Sequence, residues 1–99
     1  MNDNELKLGE QIHRKTMADD VVNNPIYQEA ITAMKGELYA AFAKTGWKDS
    51  AERDEIWRKQ QAINWFENYL RQVMDTGRLA EHTLTSRVKK KLGFSGRGM

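Results

Sequence analysis

The stretch DSAERDEIWRKQQAINWFENYLRQVMDTG, Asp49 to Gly77, decides how this chain reads. It carries a helix start, a long apolar stripe and a helix stop. Asp49 or Ser50 is placed to cap the amino end. Glu52 stands three residues after Asp49, the spacing at which a capping box satisfies two free backbone N–H groups. Gly77 is placed to close the other end, because a left-handed residue there costs glycine no Cβ clash. About 26 residues lie between, roughly 39 Å of helix at 1.5 Å per residue. Within them Ile56, Ile63, Phe66, Leu70 and Val73 recur at intervals of 7, 3, 4 and 3. That is an a/d stripe with Lys59 filling one position.

The segment before it reads as a second helix. Asn24–Pro25 opens it: Asn is a favoured N-cap, and Pro suits the first helical position because its missing N–H needs no partner there. NPIYQEAITAMKGELYAAFAKTG then runs to about Thr45, with Gly46 as a stop. Tyr27, Ile31, Met34, Leu38 and Phe42 form one stripe. Ala30, Ala33, Ala41 and Ala43 widen it, and Gly36 marks a weak spot or a close-packing point. The loop from Gly46 to Asp49 is short, which favours antiparallel neighbours.

The expected architecture is all-α. It is an antiparallel helical hairpin, about 25–45 against 51–76, with Trp47 near the turn. Residues 1–23 form a helical arm, Asp3 to Met17, with Leu8 and Ile12 on a narrow apolar face. Gly9 weakens it by about 1 kcal/mol relative to Ala. The arm is expected to order only against something else, and Asp19, Asp20, Asn23 and Asn24 to break it. Leu79 and Leu84 are expected to fold back on the hairpin. Leu84, Val88 and Leu92 suit a short basic helical segment ending at Gly93, and GFSGRGM suits a flexible end. The chain divides as one helical domain, 1–84 (arm 1–23, hairpin core 24–77), and a basic flexible tail, 85–99.

Ninety-nine residues allow one domain with a thin core: 39% of the chain is apolar and 30% charged. Such a chain does not cover two long helices unaided, so a partner or a second copy is expected. Without cysteine there are no disulfides, thiolate metal sites or thiol nucleophiles. No apolar run approaches the roughly 20 residues of a membrane span, and MNDNELKLGEQ lacks the apolar region of a secretory signal. The expected setting is therefore intracellular.

The formal net charge of +2 is unevenly spread. Residues 1–23 carry three basic and five acidic side chains; residues 24–49 carry three of each; residues 50–77 carry four and five. Residues 78–99 carry six basic and one acidic. Arg87, Lys89, Lys90, Lys91 and Arg97 make up most of that basic end. They suit phosphate contacts or an acidic protein surface, and equally a solubilising tail. With no aromatic interleaving except Phe94 and no helix-turn-helix spacing, sequence-specific DNA reading is not expected.

No constellation points to catalysis. His13 and His82 lie in different segments, and there is no HExxH, GxxxxGK[ST] or GxGxxG. Glu52, Asp54 and Glu55 suit the positive end of a helix dipole, with Arg53, Arg58 and Lys59 as neighbouring counter-charges. No catalytic residue, cofactor or metal is expected. The aromatic set Trp47, Trp57, Trp65, Phe66 and Tyr69 has two readings: core packing, or a protein interface, where Trp and Tyr carry much of the binding energy.

Three segments together, NPIYQEAITAMKGEL, GWKDSAERDEIW and MDTGRLAEHTL within residues 24–84, resemble small uncharacterised helical-hairpin proteins of tailed bacteriophages. That resemblance implies a viral origin, in the host cytoplasm or the virion, and a helical hairpin. It implies no mechanism and transfers no functional residue. The expected function is a non-enzymatic protein–protein interaction module, a virion or assembly component that self-associates or docks on a larger assembly through its aromatic helix face. The alternatives are an inhibitor of a host defence protein and a non-specific nucleic-acid binder acting through the tail.

Overall fold

A computed structural model describes residues 2–92. They form three helices: α1, Asp3–Val22; α2, Pro25–Ala43; and α3, Ser50–Lys91. No strand occurs among the described residues, so the all-α class holds. The chain divides into two compact units, each built on a different part of α3. One is Asp20–Leu70; the other comprises residues up to Asp19 and from Arg71 onward.

The local signals set the helix starts. Asn2 caps α1 by accepting the Glu5 N–H at 2.8 Å, and Asp3 and Glu5 place acidic charge at its amino end. Asn24 caps α2, its Oδ1 accepting from Ile26 and Tyr27 N–H at 2.8 and 3.2 Å, with Pro25 in the first turn. The Asn24 N–H in turn donates to the Val21 carbonyl, and Gln28 Nε2 to the Val22 carbonyl. These bonds satisfy carbonyls that the end of α1 would otherwise leave unpaired. Helix α1 therefore runs through Asp19 and Asp20, five residues beyond the expected end at Met17. The Asp49 carboxylate reaches back, accepting the Gly46 N–H at 2.7 Å, and so ties the turn before α3.

In the unit Asp20–Leu70, α2 and the first part of α3 touch in opposite order. Tyr27, near the start of α2, stacks on Phe66 with ring centroids 6.1 Å apart. Phe42, near its end, lies under the Arg53 guanidinium at 4.7 Å. Arg53 Nε also donates to Thr45 Oγ1 at 2.8 Å, so this side chain clamps the loop instead of pairing along its own helix. Between these ends Ile31 and Ile56 are buried, with Leu38, Ile63 and Leu70 half-buried. Burying Ile31 and Ile56 contributes about 1.5–3 kcal/mol each.

The second unit corrects the reading of Gly77. It is not a stop: α3 continues through it to Lys91, so residues 85–91 are helix and not a flexible tail. Gly77 is buried because α1 crosses there. A Cβ on Gly77 would collide with Lys15 Cβ and would lie 2.8 Å from the Gln11 carbonyl oxygen. Ala18 and Ala80, 4% and 1% exposed, are the buried apolar residues among those described in this unit. Small side chains let the helices close up, and Lys15 Nζ seals the edge at 3.0 Å from Asp19 and 3.2 Å from Glu81. Further along, the Asn4 side-chain oxygen, with its amide turned to accept, receives Arg87 Nη1 and Nη2 at 3.1 and 2.7 Å. What orders the arm is the second half of α3. Leu84 is half-buried, while Leu79, expected to fold back, stays exposed on the helix, as do Val88 within it and Leu92 just past its end. The segment GFSGRGM lies outside the described residues.

Two measurements check this packing. Gly77→Ala should lower stability by about 1–3 kcal/mol through overpacking. Gly36→Ala, whose Cβ would meet nothing within 4 Å, should raise it by about 0.5–1 kcal/mol. Urea melts of both variants read the opposite signs. The second measurement concerns Lys15, whose pKa is raised above 10.5, chiefly by its hydrogen bond to Asp19 and then by that to Glu81. A raised lysine pKa gives stability that is complete below 10.5 and lost as pH rises through the raised value. Lys15→Met should therefore show a shallower loss of stability than the parent as pH rises above 10.5.

Candidate interaction face

The unit Asp20–Leu70 is a pair of helices, and the two long sides of the pair differ. On one side Tyr27, Ala30, Met34, Ala62, Ile63 and Phe66 line an open groove whose walls are almost wholly apolar. It continues past Leu38 and Ala41 toward Glu37 and Lys59. On the other side Lys35, Tyr39, Gln60, Gln61 and Asn64 line a polar one, and Lys35 Nζ pairs with Glu67 at 2.8 Å. The difference follows from spacing. Ile26, Ala30 and Met34 recur every four residues along one edge of α2, and Ala62, Phe66 and Tyr69 follow at intervals of four and three on α3.

Tyr27 closes one end of the apolar groove. Its pKa is raised, first by burial and then by the Glu67 carboxylate, against the opposing effect of Lys35. The hydroxyl therefore stays protonated through neutral pH, a neutral donor on an apolar rim.

The five aromatic residues singled out in the sequence do not form one face. Trp65 is 75% exposed and points away from the buried Ile56 stripe. Tyr69, one turn on, is about 40° around the helix from Trp65, and Phe66 is about 60° beyond Tyr69 at the edge of the groove. These three are contiguous with the apolar side. Trp57 is about 80° from Trp65 in the opposite sense, toward the polar side. Trp47 sits in the α2–α3 connection, 80% exposed, with Lys48 Nζ 5.2 Å from its ring centroid. None of the three tryptophans is core. The sequence reading missed Ile26 and Tyr39, both strongly exposed. Ile26 had a visible signal in its four-residue spacing from Ala30.

The charged candidates are placed as follows. Arg58 and Lys59 pair with Asp54 and Glu55 at 3.7 and 3.4 Å on an exposed surface, where such pairs contribute about 0–1 kcal/mol. Arg87 is exposed and lies within hydrogen-bond reach of the Asn4 amide in the second unit. Lys89, Lys90 and Lys91 occupy the last turn of α3, where positive charge complements the helix dipole. Arg97 lies outside the described residues. His13 and His82 are exposed.

Among the described residues no group of three or more His, Cys, Asp or Glu is placed to hold a metal. None of the helices described is long and apolar enough to cross a membrane. No family model, curated protein or solved structure matches this chain.

Proposed function

We propose that this chain is a non-enzymatic interaction module that presents the apolar side of the α2–α3 pair, with Trp65, Phe66 and Tyr69, to another protein surface. One observation carries the reading: the apolar groove between Met34 and Ala62 stays open beside a tryptophan that is 75% exposed. A two-helix unit with this much uncovered apolar surface gains by burying it, at about 25 cal/mol per Å². Rigid aromatic side chains are also the residues that anchor protein contacts. The resemblance to phage proteins makes a virion or assembly component the leading setting. Inhibition of a host protein would use the same face.

Binding of nucleic acid through the basic end is the weaker proposal. Arg87 has Asn4 as a neighbour, and three lysines fill the last turn of α3, where they also complement the helix dipole.

A photo-reactive amino acid at position 65, in cells that naturally make the chain, should yield a covalent protein adduct. The same probe at Thr32, exposed on α2, should yield far less. Trp65→Ser should weaken partner binding by at least about tenfold while leaving the stability of the unpartnered chain within about 0.5 kcal/mol, since an exposed side chain is removed. Equal labelling at both positions would overturn the assignment of the face.

A further inference from the structure

Beside the buried stripe of α3 runs a second one. Ala51, Glu55, Arg58, Ala62, Trp65 and Tyr69 are spaced 4, 3, 4, 3 and 4, and all six are exposed. They lie along one line of the helix surface, and its half from Ala62 to Tyr69 is apolar and aromatic, the composition of a coiled-coil seam with no helix facing it. We infer that the facing helix is α3 of a second copy, running antiparallel, with the two-fold axis between Ala62 and Trp65. This rests on the proposed interaction function and names its partner.

The argument is one of charge and size. A parallel pairing in register sets Glu55 against Glu55 and Arg58 against Arg58, and like charges directly opposed oppose association. Antiparallel pairing about the Ala62–Trp65 midpoint removes both clashes. Each Trp65 then faces the small Ala62 of the other copy, a large knob over a small hole, twice across the axis. Each Arg58 faces the Tyr69 ring of the other copy, a favourable cation–π pair. Shifting the register by one layer toward the amino end would set the Glu55 carboxylate against the Trp65 ring, whose negative face repels it. Arg58 is 74% exposed and holds Asp54 only at 3.7 Å, so turning it to a ring gives up little.

Area agrees. With about 150–250 Å² per aromatic side chain, the exposed parts of Trp65, Tyr69, Phe66, Arg58 and Met34 come to on the order of 600 Å² per copy. A standard interface uses about 800 Å² per partner, which the alanines and the groove walls help to reach.

The chain has no cysteine, so single-cysteine variants report cleanly. The full purified chain is measured by light scattering from about 1 to 500 µM, and Ala62→Cys and Ser50→Cys variants are treated with a short bis-maleimide. The expected mass is twice the 11.5 kDa chain. Ala62→Cys should cross-link efficiently, because the two sites lie about 4.5 Å apart along the helix axis. Ser50→Cys should not, because its sites lie roughly 40 Å apart. Trp65→Ser and Arg58→Ala, both changes of exposed side chains, should each weaken the dimer, Trp65→Ser by at least about tenfold. A single-chain mass at 500 µM overturns the inference, and so does Ser50→Cys cross-linking as readily as Ala62→Cys. A single-chain mass with a position-65 adduct to a different protein removes the second copy and leaves the interaction function standing. A single-chain mass with no adduct at all removes both.

Discussion

The structure depends on one close approach. At Gly77 a helix surface without a side chain lets the backbone of α1 come nearer than any Cβ would allow, with the Gln11 carbonyl and Lys15 against it. The buried neighbours Ala18 and Ala80 are small for the same reason. Dispersion falls steeply with distance, so closely approaching backbones gain contact that bulky side chains would supply elsewhere. That matters where the buried apolar residues, among those described, are two isoleucines and two alanines. Without this approach α1 would have a narrow apolar face and little to hold it.

The all-α class was legible because three independent signals agreed: caps, periodicity and a short turn. The Asn24–Pro25 start and the Tyr27–Ile31–Leu38 stripe needed only nearest neighbours in sequence to be read. What could not be read was the end of α3. A glycine after an apolar run is a helix terminator when the chain turns there, and a packing site when another helix crosses there. The two differ only in what lies opposite Gly77, and the answer, Lys15 and Gln11, is far away in sequence. The same blindness hid the role of Arg87, which looked like tail charge until Asn4 was placed beside it.

The candidate face shows a related limit. Trp57, Trp65 and Tyr69 looked like one group because they share one helix. Angular position separates Trp57 from the others, and only knowledge of which side α2 covers turns an angle into a surface. Composition was a better guide: a short, 30% charged chain with three tryptophans has more aromatic surface than its own core takes up. The polar and apolar sides of the α2–α3 pair make that surplus directional. Gln60, Asn64 and the Lys35–Glu67 pair keep one side compatible with water, which leaves the other as the side that gains from contact.

The pairing of α1 with the far end of α3 also fixes an order of events in synthesis. Phe42 and Arg53 are near neighbours in sequence, so the unit Asp20–Leu70 closes short loops and can form early. Asn4 and Arg87 are far apart in sequence, and closing so large a loop costs more entropy before any contact offsets it. During translation α1 emerges before α2 and before its partner surface from Gly77 to Arg87. Until that surface is made α1 lacks what holds it, and its docking closes a far longer loop than the contacts within Asp20–Leu70 do.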